Sequence, residues 1–242
     1  SKKLAAQRWQ YLWRRTVNKP SKLNQPYAMV AAFAAMFAPA MPLEVFPMNP
    51  SFDILLTGVG GQGTVLASRL LAELALSAGY FVRTSETIGM AQRGGSVTSH
   101  LRIGSEEKSP LITTGTADLL IGFEPSEALR NLPQMKPNGK LLVNTKEIKP
   151  TTASLNPDAY DIKEIIHTLE QHPNAILVDA HRLALEAGNI KTLNTVLLGV
   201  AFAHQLLPFD AKQILSTMQK IIPAKLYEIN QKAFLLGYQI KK

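Results

Sequence analysis

A run of glycines between two apolar segments is the first place where residue types and spacing indicate chemistry. Gly58–Gly63, which reads Gly-Val-Gly-Gly-Gln-Gly, matches the pattern Gly-x-Gly-x-x-Gly. A short buried strand is predicted before it at 53–57, and a helix is predicted after it over 64–78. Glycines permit a tight turn, and unpaired N–H groups at the start of a helix attract phosphate. The run therefore indicates either a phosphate-binding turn or a turn needed for close packing of helix on strand.

A polar stretch after the next predicted strand offers a second set of reactive groups. The strand is predicted at 80–84, and Arg83–Ser96 lacks the periodicity of a helix or a strand. Its glycines permit unusual backbone conformations, and side chains such as Glu86 and Arg93 form hydrogen bonds. Because ligands of α/β folds bind beside loops at the carboxyl ends of strands, we expect a long, ligand-facing loop here.

The acidic residue of a dinucleotide site is absent from its usual place in the sequence. Such sites carry Asp or Glu at the end of the second strand, about 20 residues after the glycines, where it binds the ribose. Arg83 and Thr84 occupy this place, and Glu86 comes slightly later. Arg83 suits a 2′-phosphate, so a free-standing NAD(P)-binding oxidoreductase is one alternative. A structural adaptor whose loop binds no ligand is another.

The segments that hold these residues alternate between strand and helix, which predicts an α/β fold. We expect a doubly wound, Rossmann-like sheet with a helical C-terminal layer, in one domain over 51–242. Further strands are predicted at 97–103, 118–123, 140–144 and 175–179, and further helices at 192–206, 210–221 and 224–236. The helix over 192–206 is apolar on nearly every side, so we expect it to be central or to lie in an interface.

Residues 1–50 differ in composition from the rest and are predicted to form an extended or helical arm. A basic helix with Trp9 and Trp13 on its apolar side is followed by an uncharged run interrupted by prolines. A targeting peptide and a helix lying on a membrane surface both fit this pattern. We favour a docking arm for a partner, because a segment with so little core of its own becomes ordered by burying apolar surface elsewhere.

The positive charge of the chain belongs to this arm. The formal net charge is +8, but seven basic residues precede the first acidic residue, Glu44, which leaves 19 basic residues against 18 acidic ones. Nucleic-acid binding by the main domain is therefore not expected, because a nucleic-acid footprint lies on the folded surface. The uncharged run is too short and too interrupted for a membrane span.

The 242 residues include no cysteine, which excludes an iron–sulfur cluster held by thiolates of this chain. The five histidines show no metal-ligand spacing, so no metal site is expected.

Several motifs in one order resemble a known family. Gly58–Gly63, followed by Thr84–Gly95, is similar to the gamma domain of 2-oxoacid:ferredoxin oxidoreductases, and Thr84–Gly95 resembles the beta subunit of the indolepyruvate branch in particular. Supporting stretches lie at 99–104, 109–112, 118–125 and 187–194. The resemblance covers 52–237, and residues 1–50 match no part of the family.

The resemblance implies a subunit that does not complete the reaction alone. A large partner subunit is expected to carry thiamine diphosphate, Mg²⁺ and 4Fe–4S clusters, with none of these cofactors on this chain. Coenzyme A is the expected co-substrate, and ferredoxin accepts electrons through the partner. The implied reaction converts indolepyruvate or another aryl 2-oxoacid to acyl-CoA and CO₂ in a cytoplasmic hetero-oligomer. A related enzyme acting on phenylglyoxylate or a branched-chain 2-oxoacid is the alternative.

The same resemblance implies that this chain borders the active site and the approach of coenzyme A, without supplying a catalytic residue. Arg93 is the first choice for a ligand or interface contact, and the alternative is that Arg93 pairs with Glu86 and holds the loop. The full set of candidate contacts is Gly58, Gly60, Gly61, Gln62, Gly63, Ser85, Glu86, Met90, Arg93, Gly94, Gly95 and Arg102.

Overall fold

The computed structural model describes residues 51–88, 95–104, 109–148 and 161–240. The predicted arm over 1–50 lies outside the described residues. The strands are β1 (Phe52–Val59), β2 (Val82–Ile88), β3 (Ser96–Ile103), β4 (Ala117–Gly122), β5 (Met135–Asn144) and β6 (Ala175–Val178). The helices are α1 (Thr64–Ser77), α2 (Pro125–Asn131), α3 (Ile162–Glu170), α4 (Ala180–Ala187), α5 (Leu193–Ala203), α6 (Ala211–Ile221) and α7 (Ala224–Tyr238).

One sheet contains all six of these strands, in the order β2-β3-β1-β4-β5-β6. β1, β4, β5 and β6 run parallel, whereas β3 is antiparallel to both of its neighbours, β1 and β2. The last residues of the four parallel strands and the first residue of β3 therefore meet at one edge of the sheet, here called the carboxyl edge. Helices pack on both faces, so the predicted doubly wound α/β fold with a helical C-terminal layer is confirmed.

The β2–β3 pair differs from the prediction. β2 continues to Ile88, so Ser85 and Glu86 lie in a strand and not in the expected loop. Its neighbour is β3, with Ser85 opposite His100. Seven residues separate the two strands, which is enough for a hairpin connection but too few for the crossover that a parallel neighbour requires. Once β3 supplies hydrogen-bond partners, the β-branched residues of this stretch fit a strand.

The apolar residues of β1 explain why it lies inside the sheet. Ile54 and Leu56 face the core formed with α1 and the C-terminal helices, and Leu55 faces a second core formed with α2 and α3. All three side chains are fully buried. A strand covered on both faces needs a continuous apolar run, which Ile54–Leu56 supplies.

Two glycines allow α5 and α7 to cross in close contact. A Cβ atom on Gly199 would lie 2.1 Å from the carbonyl oxygen of Phe234, and a Cβ atom on Gly237 would lie 2.2 Å from that of Val196. Residues 193–202 of α5 are all buried, which confirms the predicted central position of this helix. The crossing therefore fixes the C-terminal layer against the sheet.

Two side chains of β3 hold the segment at 109–112. The guanidinium of Arg102 donates hydrogen bonds to the carbonyl oxygens of Ser109 (2.9 Å) and Leu111 (3.1 Å). The backbone N–H of Ile112 donates to Nδ1 of His100 at 3.1 Å. Because Nδ1 accepts this bond, the proton of the neutral imidazole resides on Nε2. The segment therefore depends on a neutral His100.

We expect stability to fall when His100 is forced to take up a proton. Burial lowers the pKa of His100 below its ordinary value of 6.5, and the positive charge of Arg102 lowers it further. The unfolded chain therefore binds this proton more readily, and the stabilisation present above pH 6.5 is lost as the pH falls below it. The slope is at most ~1.4 kcal/mol per pH unit for one proton.

The free energy of unfolding in urea measures this effect. It would be determined for the wild type and for His100→Asn from pH 7.5 to pH 5, in steps of about half a pH unit. Asparagine keeps an acceptor near the position of Nδ1 but does not titrate, so the free energy of unfolding of this variant should depend less on pH. Parallel pH profiles for the two proteins would contradict the assignment.

Candidate functional site

Gly58–Gly63, here called the glycine loop, covers the last two residues of β1 and the turn before α1, and it lies at the carboxyl edge. Gly61 and Gly63 have φ angles of +102° and +83°, which favour glycine over residues with a side chain. Gly58 has a different requirement, because a Cβ atom there would lie 2.7 Å from Oε1 of Gln62 and 2.8 Å from Cβ of Phe123. Backbone conformation therefore requires glycine at positions 61 and 63, and close packing requires it at position 58.

The side chain of Gln62 closes the loop from within. Its Oε1 accepts a hydrogen bond from the N–H of Val59 at 2.6 Å, and its Nε2 donates to the carbonyl oxygen of Phe123 at 2.9 Å. Gln62 was predicted to contact a ligand, but both of its polar atoms are engaged inside the protein. Its amide joins the end of β1 to the end of β4 and so shapes the loop.

Asn144 continues this connection across the sheet. Its Nδ2 donates to the same carbonyl oxygen of Phe123 at 3.0 Å, and its Oδ1 accepts from the N–H groups of Ala180 (3.0 Å) and His181 (3.3 Å) at the start of α4. Asn144 is fully buried. Sequence reasoning did not select it, although its place at the end of a predicted parallel strand was a usable signal.

The end of the polar stretch meets the glycine loop. The N–H of Gly60 donates to the carbonyl oxygen of Gly95 at 2.9 Å, and Ser96 lies opposite Val59 in the β1–β3 register. The hydroxyl of Ser96 donates to Oε2 of Glu127 in α2 at 2.6 Å. The structure therefore brings Gly58–Gly63 and Gly95, all of them candidate contacts, together. Glu127, which sequence reasoning missed, belongs to the same group.

The remaining predicted contacts are distributed differently. Ser85 and Glu86 lie on β2, where neighbouring residues face opposite sides of the sheet, and Glu86 is exposed. Met90, Arg93 and Gly94 lie outside the described residues. Their positions in the chain fall between Ile88 and Gly95, and Gly95 itself contacts the glycine loop.

Arg102 lies far from this group, near the other end of β3. It is 6% exposed, and its guanidinium binds both carboxylate oxygens of Asp53, at 3.1 Å and 2.6 Å. Asp53 is near the start of β1, whereas the glycine loop follows the end of that strand. Arg102 holds β1 and the segment at 109–112 in place, so we leave it out of the candidate site.

The position of β2 removes the support for a dinucleotide site. β3 separates β2 from β1, and Arg83 stands opposite Arg102, at the end of the sheet away from the glycine loop. Its guanidinium carbon lies 5.3 Å from the ring centre of Phe81. Arg83 is therefore not placed to meet a 2′-phosphate bound at the loop.

Two features are absent from the described ranges. Among 51–88, 95–104, 109–148 and 161–240, no three His, Asp or Glu residues form a group that could hold a metal ion. No helix in these ranges is both long and apolar enough to cross a membrane.

Comparisons with known proteins point to one family. The family model described as pyruvate ferredoxin/flavodoxin oxidoreductase matches residues 53–240. The indolepyruvate oxidoreductase subunit IorB of Pyrococcus horikoshii is 38% identical over 194 residues, which are 79% of this chain and 96% of that relative. The common subunit gamma of the pyruvate/ketoisovalerate oxidoreductases of Pyrococcus abyssi is 31% identical, over 75% of this chain and 92% of that subunit.

A solved structure has the same fold. The pyruvate oxidoreductase subunit PORC of Thermotoga maritima superposes with a TM-score of 0.59 and 25% identity, over 79% of this chain and 97% of that one. Sequence motifs, fold and relatives point the same way. The chain therefore belongs to the pyruvate ferredoxin/flavodoxin oxidoreductase family and is a subunit of an oxidoreductase.

Proposed function

We propose that this chain is the cluster-free subunit of a thiamine-diphosphate-dependent 2-oxoacid:ferredoxin oxidoreductase that acts on indolepyruvate or another aryl 2-oxoacid. The observation that carries the proposal is the 38% identity to a subunit named for indolepyruvate, over nearly the whole of that relative. The gamma subunit named for pyruvate and ketoisovalerate is less similar, at 31%. The reaction would join the acyl group of the 2-oxoacid to coenzyme A, release CO₂ and pass an electron pair to ferredoxin.

The proposed cofactors are assigned outside this chain. It has no thiolate for a cluster, and no group of metal-binding side chains occurs among its described residues. We therefore assign thiamine diphosphate, Mg²⁺ and the 4Fe–4S clusters to a large partner subunit in a cytoplasmic hetero-oligomer. Thiamine diphosphate supplies the carbanion-stabilising chemistry of such decarboxylations. The names of the relatives, which call them subunits, support the assembly.

The contribution proposed for this chain is a surface for the phosphates of coenzyme A at the carboxyl edge. The glycine loop leads directly into α1, whose N-cap residue, Gly63, supplies no side-chain cap. The first turn of α1 also lacks an acidic residue, so its N–H groups suit an anion. Arg93 is proposed as the guanidinium partner of a phosphate.

Replacing Arg93 by alanine tests this contribution in the assembled complex. We expect the apparent KM for coenzyme A to rise roughly tenfold, the loss of one charge-assisted hydrogen bond, with normal assembly. Arg69→Ala, on an exposed position of α1, is the matched control and should leave KM unchanged. Normal assembly with an unchanged KM would favour the structural adaptor.

Ferredoxin reduction by the complex, measured acid by acid, tests the substrate class. The proposal predicts the highest kcat/KM with indolepyruvate or another aryl 2-oxoacid. Highest activity with a branched-chain acid, or with pyruvate, would overturn the aryl assignment and leave the family assignment intact.

A further inference from the structure

A buried carboxylate of α2 contacts the point where the polar stretch ends. Glu127 is 1% exposed, and its Oε2 accepts the hydroxyl hydrogen of Ser96 at 2.6 Å. Ser96 is the first residue of β3, 31 positions away in sequence. A short bond of this kind to a carboxylate is stronger than a bond between neutral groups.

Local helix capping does not explain this arrangement. Glu124 already caps α2, because its Oε2 accepts the N–H of Glu127 at 3.0 Å. The side chain of Glu127 reaches away from its own helix to β3. Among the described residues, its ion-pair partner is Arg130, one turn later, with 3.6 Å between Nη2 of Arg130 and Oε1 of Glu127; the side chain of Arg130 is 61% exposed. The side chain of Glu127 therefore connects α2 to β3, a contact that the capping of α2 does not require.

A second bond holds the preceding residue. The N–H of Gly60 in the glycine loop donates to the carbonyl oxygen of Gly95 at 2.9 Å. Gly95 and Ser96 are thus tied on one side to the glycine loop and on the other side to α2. Gln62 fixes the same loop to Phe123, directly after β4, and α2 begins two residues later at Pro125. The attachments of Gly95 and of Ser96 therefore both lead to the end of β4.

From these contacts we propose that Glu127 is a positioning residue for the coenzyme A surface. By holding Ser96 it sets the place of Gly95 against Gly60, and through Gly60 it sets the direction of the N–H groups that follow in the loop. The proposal rests on the proposed function, because it assigns coenzyme A to that loop. Misplacing binding groups by a small distance weakens binding, so the KM for coenzyme A is the quantity expected to change.

Variants of this chain, rebuilt into the complex, test the proposal. Ser96→Ala and Glu127→Ala should each raise the apparent KM for coenzyme A roughly five- to tenfold, as expected for one hydrogen bond, with kcat nearly unchanged. The double variant should be no worse than either single one, because both remove the same bond. Glu127→Gln retains an acceptor for Ser96 and should recover much of the affinity.

Ser126→Ala is the matched control. Its hydroxyl also donates to a buried glutamate, Oε2 of Glu124 at 2.5 Å, but it makes no bond to β3. Its KM for coenzyme A should equal that of the wild type. An equal rise in Ser126→Ala, or an unchanged KM in all variants with only a lower unfolding midpoint, would show that Glu127 is merely structural.

Amide hydrogen exchange at residues 95–98 of the complex provides a readout that does not depend on activity. Exchange should be faster in Ser96→Ala and Glu127→Ala than in Ser126→Ala. If the wild-type complex shows no dependence on coenzyme A, the proposed function fails, and the exchange result still decides whether Glu127 holds this position. Unchanged exchange in both variants would overturn the inference.

Discussion

Replacing Arg102 by alanine is expected to lower the free energy of unfolding by about 3–5 kcal/mol, the usual effect of leaving one partner of a buried ion pair uncompensated. The substitution leaves the carboxylate of Asp53 buried at 2% exposure without its bidentate partner. It also removes the donors that hold Ser109 and Leu111. Urea unfolding of the purified chain measures the change.

Arg182→Ala is the matched control for this prediction. Arg182 forms an exposed i,i+4 pair with Glu186 at 3.4 Å, and such pairs contribute ~0.3–0.5 kcal/mol. Similar losses for the two arginines would contradict the account. In the complex, whatever Arg102→Ala protein remains folded should have an unchanged KM for coenzyme A, because Arg102 lies away from the glycine loop. A raised KM would return Arg102 to the site.

The second large effect is expected for Gly199→Ala. Helix propensity alone favours alanine by ~1 kcal/mol. The new Cβ atom would lie 2.1 Å from the carbonyl oxygen of Phe234, a backbone atom inside α7 that cannot rotate away. The helices must therefore separate, and we expect a net loss at or above ~3 kcal/mol, the upper end for overpacked cores.

Gly115→Ala separates this clash from backbone strain. Gly115 has a φ angle of +75°, but a Cβ atom there would meet nothing within 4 Å, so ~1–2 kcal/mol is expected. Thermal unfolding of both variants gives the comparison. A Gly199→Ala protein as stable as the wild type would mean that α5 and α7 do not cross in this way.

Local sequence patterns predicted the elements but not the partners that pair with them. The strand before the glycine loop and the C-terminal helices lie where apolar periodicity placed them. The continuation of β2 to Ile88 was missed, because it depends on pairing with β3. A strand that gains its stability from a neighbour shows only a weak pattern of its own.

The same holds for the candidate site, where local turns were predicted but contacts between residues distant in sequence were not. The glycine spacing correctly predicted a turn between a strand and a helix, since the positive φ angles of Gly61 and Gly63 belong to the local backbone. Gln62 was assigned to a ligand as part of the glycine motif, and Arg102 because a guanidinium suits phosphate. In the structure they contact Phe123 and Asp53, which are distant in sequence. Glu127 was missed because its contact with Ser96 exists only in the folded chain.

The most direct test of the central claim is reconstitution. The chain would be purified with whatever subunit accompanies it, and thiamine diphosphate, iron and cluster absorption would be measured. The rate at which the complex reduces ferredoxin with indolepyruvate, in the presence of coenzyme A, would then be compared with and without this chain. The expected result is a large partner that carries all the cofactors and a complex that loses activity when this chain is removed. A colourless protein without a partner that binds NAD(P)H by itself would contradict it.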